Sequence, residues 1–234
     1  MLVADPATTP VYDGYFTYDS VPLKWHLPVG LLYDIYVLSY ASESPSPLPF
    51  KLTLHFHNGS GLNLISADPV VLHDAFINSV KEADFLRTGT AKPIMSLSAA
   101  DSKALWSSVQ SHDLGTYKRI YNSLLPQTFR NIPVRIYLPS GPHGEKASIK
   151  VVQAHIPPTI SSTSSVGRVS ATPQTLGTAL RGLIPSLFPS SRTPVLARTV
   201  LHGAMVPLGS HVEELARNAT YADGWLGLVV VMNS

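Results

Sequence analysis

No cysteine occurs in these 234 residues, which excludes a disulfide framework, thiolate catalysis and cysteine-ligated zinc. Charge is scarce as well. Asp, Glu, Lys and Arg make up 14% of the chain, the formal net charge is +2, and no Arg/Lys block forms a nucleic-acid footprint, so no nucleic-acid partner is expected. The longest apolar run, Trp225 to Met232, falls far short of the roughly 20 residues that span a bilayer. The N-terminal Met-Leu-Val-Ala-Asp-Pro is neither basic nor apolar enough for a signal peptide. A cytoplasmic protein is therefore expected, and the triplets Asn58-Gly-Ser60 and Asn218-Ala-Thr220 read as accidental rather than glycosylated. There is no phosphate loop, dinucleotide fingerprint or zincin helix, and Gly59-Ser-Gly61 is shorter than the five-residue nucleophile elbow. Catalysis by this chain alone is not expected, nor is a cofactor.

What is present is a globular composition, 44% hydrophobic, in a chain long enough for one large or two small domains. The period of its apolar residues changes three times. Tyr12 to Lys24 reads as a strand ending near Pro22. In the following turn, Pro28 biases Leu27 toward extended backbone and Gly30 allows a sharp bend before a helix carrying Leu31, Leu32 and Ile35. Ser42 to Pro49 is a proline-serine connector. Phe50, Leu52, Leu54 and Phe56 then alternate with Lys51, Thr53 and His55, the pattern of a half-buried strand.

Residues 68–125 read as helical. Asp68-Pro69 supplies an N-cap and a first-position proline, Ser98-Ala-Ala-Asp101 a capping box with Asp in the usual Glu position, and Asp113 a third cap. Leu72, Phe76, Val80 and Ala83 form one stripe, Leu105, Trp106 and Val109 a second, and Tyr117, Ile120, Tyr121 and Leu124 a third.

Alternation returns at Ile132, Val134, Ile136 and Leu138, and a turn at Ser140-Gly-Pro-His-Gly144 leads to a strand at Ala147–Gln153. Pro157 to Ala171 reads as a Ser/Thr/Pro-rich loop, Thr172-Pro173 as a helix start, Val195 to Leu201 as a strand, Ser210 to Arg217 as a short helix, and Trp225 to Met232 as a buried final strand. Hairpin, helix, strand, short helix, strand is the ubiquitin-like order. The strand–helix–strand of residues 12–57 looks like the second half of the same arrangement. The fold expected is α+β: a partial first ubiquitin-like (β-grasp) domain over 12–58, a helix-rich segment over 66–127 and a second ubiquitin-like domain over 130–233.

Four segments carry a resemblance to a known family: Pro22-Leu-Lys-Trp-His-Leu-Pro-Val-Gly-Leu-Leu-Tyr-Asp34, Leu52-Thr-Leu-His-Phe56, Val80-Lys-Glu-Ala-Asp84 and Ile132-Pro-Val-Arg-Ile-Tyr137. Lys103-Ala-Leu-Trp106 and Val200-Leu-His-Gly203 add to it. In this order they resemble the autophagy protein 5 family, whose architecture is two ubiquitin-like domains flanking a helical segment. The family's first domain opens with a hairpin and a helix that this sequence does not carry, so uncovered apolar faces and strand edges are expected there.

The resemblance implies a non-catalytic scaffold. It would accept the ubiquitin-like autophagy protein 12 through an isopeptide bond at Lys81, meet E2-like conjugating enzymes, and bind autophagy protein 16. The conjugate would stimulate autophagy protein 8 lipidation in an E3-like way at the preautophagosomal membrane, with peripheral contact only. Lys81 lies about 140° around the helix from Phe76, away from the apolar stripe, and Asp84 at i+3 is placed to orient its amine. It is one of eight lysines, and an exposed lysine has no intrinsic signature. Trp25 and His26, with Gly30, are candidate partner contacts, although an aromatic at a strand end also suits the core. His55 and His57 share a strand face, but no nearby Asp, Glu or Cys completes a metal set. The competing reading is an unconjugated ubiquitin-like adaptor, or a product without function, if the shortened first domain fails to support conjugation.

Overall fold

The computed structural model describes residues 14–39, 48–56, 61–140, 148–163 and 169–233. The first section is a small antiparallel sheet of order β2-β1-β3, built from β1 (Tyr15–Tyr18), β2 (Val21–Pro22) and β3 (Thr53–His55), with α1 (Val29–Tyr36) between. The single strand expected before Pro22 is a hairpin instead. Asp19 and Ser20 both take positive φ, 49° and 67°, the backbone that folds two strands together over a two-residue turn. Gly30 is not the bend either: it lies inside α1, and Pro28 caps that helix with extended backbone.

The helical section contains α2 (Pro69–Thr88), α3 (Lys92–Met95), α4 (Ala99–Gln110) and α5 (Leu114–Leu124). All three expected caps form. Asp68 Oδ1 accepts from the Val70 amide at 2.7 Å, Ser98 Oγ from the Asp101 amide at 3.0 Å, and Asp113 Oδ1 from the Thr116 amide at 3.1 Å. The Asp101 carboxylate takes a hydrogen bond from the Ser98 hydroxyl rather than from its amide. The stripes converge on a core of Val80, Ile94, Leu105, Ile120, Tyr121 and Leu124.

The third section is a five-stranded sheet of order β5-β4-β10-β8-β9, made of β4 (Ile132–Ser140), β5 (Ser148–Ile156), β8 (Ala197–Leu201), β9 (Ala204–Met205) and β10 (Leu226–Met232). The first and last strands, β4 and β10, run parallel at its centre, as in a ubiquitin-like sheet. Helices α6 (Leu176–Leu183) and α7 (Val212–Asn218) cover one face. Residues 157–171 are not simply a loop. β6 (Thr159–Thr163) and β7 (Val169–Pro173) pair as a two-stranded ribbon, and their Ser, Thr, Ile and Val residues suit extended backbone. Pro173 consequently ends a strand. The following helix starts at Leu176, where Thr175 and Thr178 form a reciprocal capping box.

Alternation along β4 and β10 explains how the sections join. Ile132, Val134, Ile136, Leu226, Leu228 and Val230 face α6 and α7. Tyr137, Val229, Val231 and Val200 face the other way and pack on Leu31, Leu32, Ile35 and Tyr36 of α1. The apolar face of α1, expected to lack cover, is thus buried on the outer face of the second ubiquitin-like sheet. The β3 segment fares differently. Phe50 is half-buried against Tyr18 and Tyr33, but Leu52, Leu54 and Phe56 are 39%, 43% and 46% exposed. Of the alternating face read from the sequence, only Phe50 is covered, and the short strand beyond it meets solvent. Leu54→Ser should therefore change stability by no more than about 0.5 kcal/mol in urea unfolding; a loss of about 2 kcal/mol would restore the half-buried reading.

A buried carboxylate locks α1 in place. Asp34, 1% exposed, accepts from the Gly203 amide at 3.1 Å through Oδ2. Burial outweighs that bond and the nearby His202, raising the Asp34 pKa above its ordinary 3.8. The folded protein therefore holds the proton more tightly than the unfolded chain does. The stabilisation is complete below 3.8 and is lost as pH rises through the raised value. Asp34→Asn keeps an acceptor for Gly203 and cannot titrate. Its urea midpoint should gain on the unmutated protein as pH rises from 3.8 toward neutrality; parallel curves would contradict this.

Candidate functional site

Lys81 lies on α2 between two flanks of the helix that are held by different neighbours. Val80 and Ala83, 1% and 0% exposed, face the bundle core. Lys81 is half-buried, and among the described residues its amine has no hydrogen-bond or ion-pair partner. The carboxylate expected to orient it is engaged elsewhere. Asp84 is fully buried and accepts from the Ile94 amide at 3.2 Å. Its i+3 spacing allows a contact with Lys81, but α3 begins beside it with an amide to satisfy, and the side chain turns inward. Desolvation raises its pKa, with the Ile94 amide and Arg87 acting in the other direction.

The opposite flank of α2 docks on the second ubiquitin-like domain. Arg135 is on the same face of β4 as Tyr137 and stands against α2. Its Nη1 donates to Ser79 Oγ and to Asp223 Oδ2, both at 3.0 Å, and its Nη2 to Glu82 Oε2 at 3.3 Å. Ser79 Oγ donates to Asp223 Oδ2 at 2.7 Å. The guanidinium lies 4.0 Å over the Trp225 ring, whose indole N–H donates to the Ser79 carbonyl at 3.1 Å. One turn further on, Arg87 reaches through the bundle with Nη2 donating to the Gly224 carbonyl at 2.6 Å and to the Tyr121 hydroxyl at 2.9 Å. Gly224 has φ 84°, and a Cβ there would lie 2.1 Å from Arg87 Nη2, so glycine is required both by the backbone and by the approach.

The turn before α1 borders the same region. Trp25 is half-buried and its indole N–H donates to the Ile65 carbonyl at 3.1 Å, joining this turn to the segment leading into α2. The surrounding protein, then the cations Lys24 and Arg135, lowers the His26 pKa, while part of the ring reaches solvent. Gly30 is on the exposed side of α1, where a Cβ would meet open space. The structure therefore sets His26 within reach of the Arg135 charge and Trp25 against the segment leading into α2, while Gly30 sits on the exposed surface of α1. His55 stacks on Tyr15 with centroids 4.7 Å apart and shares a hydrogen bond with Thr17 Oγ1 at 3.0 Å; His57 lies outside the described residues.

Buried tyrosines complete the junction. Desolvation first, then the charge of Asp223, pushes Tyr137 up to about 12, with Arg135 opposing, and Tyr117 is raised further by the same burial. These hydroxyls remain protonated and act as hydrogen-bonding groups, Tyr117 donating to the Ala222 carbonyl at 3.2 Å. No cluster of three or more His, Cys, Asp or Glu suited to a metal occurs among the described residues. What the site offers chemically is a primary amine, unpaired among the described residues, on a braced helix.

Residues 3–56 match the family model described as Autophagy protein ATG5, UblA domain; residues 69–127 match its alpha-helical bundle region, and residues 131–230 its UblB domain. Autophagy protein 5 of Aspergillus terreus is 50% identical over 249 residues, covering 97% of this chain and 79% of that protein. Autophagy protein 5 of Aspergillus clavatus is 50% identical over 255 residues with the same coverage, 97% and 79%. The crystal structure of Kluyveromyces marxianus Atg5 superposes with a TM-score of 0.70 at 20% identity, covering 93% of this chain and 73% of the other, a likeness of fold. The α+β architecture is accordingly two ubiquitin-like domains flanking a helical bundle. The chain belongs to the autophagy protein 5 family, and its role is in autophagy.

Proposed function

We propose that this chain is a non-catalytic scaffold that becomes covalently joined to the ubiquitin-like autophagy protein 12 through Lys81. The observation that carries the proposal is the state of that side chain: an amine with no partner among the described residues, on a helix whose neighbouring positions are engaged. Isopeptide formation needs an amine that can reach a thioester. The Nζ lone pair attacks the thioester carbonyl and the C–N bond forms. The C–S bond breaks, sulfur leaves as the thiolate of the conjugating enzyme, and the amine proton passes to solvent or to an acceptor on that enzyme. An ammonium has no lone pair, so the attacking amine must first give up a proton. With Asp84 turned inward, no group among the described residues is hydrogen-bonded to the amine to serve as a base; activation belongs to the conjugating enzyme.

The conjugate binds autophagy protein 16 without a covalent bond and stimulates, in an E3-like way, transfer of autophagy protein 8 to phosphatidylethanolamine. Its contribution is proximity: holding a loaded enzyme at a lipid surface raises effective concentration without new chemistry. The setting is the cytoplasm and the preautophagosomal membrane, met peripherally. Among the described residues no helix is long and apolar enough to cross a membrane.

Reconstitution with the activating enzyme, the conjugating enzyme, autophagy protein 12 and ATP tests the reading. The expected product is larger by the mass of one ubiquitin-like protein and survives thiol reductant. No such product would favour the unconjugated adaptor, to which the exposed face of Leu52, Leu54 and Phe56 could contribute a docking surface.

A further inference from the structure

We propose that Arg135 is a positioning residue for the Lys81 amine, fixing the direction in which α2 presents it. This rests on the reading of Lys81 as the acceptor and assigns that site a second residue, from another domain. The reaction is the transfer described above: the new C–N bond forms at Lys81 Nζ, the thioester C–S bond breaks, and the thiolate and proton leave to the conjugating enzyme and solvent.

At about 100° per residue, Ser79 and Glu82 share one flank of α2, and Lys81 projects about 100° beyond Glu82 on the other. The bundle core holds α2 through Val80 and Ala83, and Asp84 ties the Lys81 side to α3. Neither contact relates the helix to the second ubiquitin-like domain. Arg87 does so at the end of α2, through the Gly224 carbonyl, and beside Lys81, Arg135 does so together with Trp225. One guanidinium meets both Ser79 and Glu82, is countered by Asp223, and is seated on Trp225, whose indole N–H holds the Ser79 carbonyl. With its side chain only 15% exposed, Arg135 is a fixed part of the domain surface rather than a swinging surface cation. Ser79 and Glu82 lie two residues before Lys81 and one after it, so the turn carrying the amine is clamped against that domain.

A roll of α2 by about 20° would carry a side-chain tip about 5–6 Å from the axis through about 2 Å. Misplacement by about 1 Å can cost about a hundredfold in a reaction that depends on alignment. A conjugating enzyme that grips the chain beyond the bundle needs the amine to arrive from one fixed direction, and Arg135 sets that direction.

The test is single-turnover transfer of autophagy protein 12 from its conjugating-enzyme thioester to the full chain. Arg135→Gln should lower the maximal rate at saturating chain by at least about tenfold, with the half-saturating concentration unchanged within about twofold. Acylation of Lys81 by a small diffusible thioester, read by mass spectrometry, should stay at the unmutated rate, because a small reagent needs no fixed approach. Arg135→Lys, which keeps the cation but not the fork, should recover part of the rate. Glu82→Gln, at an exposed carboxylate whose loss leaves the core intact, should lower the maximal rate about two- to threefold by releasing one arm of the clamp. An equal loss toward the small thioester, or full transfer rates in both Arg135→Gln and Glu82→Gln, would overturn the positioning role. Undiminished transfer in Lys81→Arg would instead overturn the acceptor assignment, so the two failures are distinguishable.

Discussion

Replacing Lys81 by arginine should abolish the conjugate. Arginine preserves length, helix propensity and charge, so α2 and its contacts are retained. Its guanidinium stays protonated above pH 12 and offers no nucleophilic lone pair. Transfer should fall below about 1% of the unmutated rate, a rise of more than about 2.7 kcal/mol in the barrier, while the melting temperature stays the same. Seven other lysines remain in the variant, since the chain has eight, so loss of product would locate the reaction rather than report a general shortage of amines. Lys24 and Lys92 are exposed, and their availability makes the result discriminating. Product persisting at the same mass and rate would remove Lys81 from the account.

The second large effect lies in the bundle. Arg87→Ala should destabilise the protein by about 3–5 kcal/mol. Arg87 is 2% exposed, it donates to the Gly224 carbonyl and the Tyr121 hydroxyl, and its guanidinium lies 5.6 Å from the Tyr121 ring centroid. Truncation leaves those two acceptors unserved and Asp84 buried without the cation one turn away. The Arg130 amide also donates to the Arg87 carbonyl at 2.9 Å, tying the end of α2 to the segment that enters β4. That backbone bond survives truncation, so the measured loss reports the side chain. Arg87→Met, which fills volume without a charge, should recover part of it. Urea midpoints of the three proteins decide the matter, and a cost below about 1 kcal/mol for Arg87→Ala would show that the junction is held by apolar packing alone.

Much of this architecture was legible because it follows short-range rules. The caps at Asp68, Ser98 and Asp113 formed where small polar residues precede apolar stripes, since a helix start needs local acceptors. The alternation of Ile132, Val134 and Ile136 located a central strand. The same rule misplaced Leu52, Leu54 and Phe56, because alternation reports which residues share a face and not whether anything covers it. It also left the other face of β4 unassigned: Tyr137 and Arg135 share it, and α1 and α2 pack there. That cover comes from residues 53 or more positions away, beyond the reach of a local pattern.

The docking groups were partly visible. Arg87 continues the spacing of Val80 and Ala83, and a charge on an apolar stripe signals a buried polar contact. Asp223-Gly224 is a turn signal before an apolar strand, but nothing local announces that Gly224 must meet Arg87 across 137 residues. The resemblance pointed to Lys81, and local spacing alone did not show that Asp84 faces inward and leaves the amine without a partner among the described residues.

The most direct measurement is fragmentation mass spectrometry of the proteolysed conjugate, which reads the branch point itself. The account predicts a single isopeptide branch on the peptide containing Val80-Lys81-Glu82, attached at Lys81 Nζ. A branch at Lys24, Lys92 or any other lysine, or a product with no isopeptide branch, would contradict it.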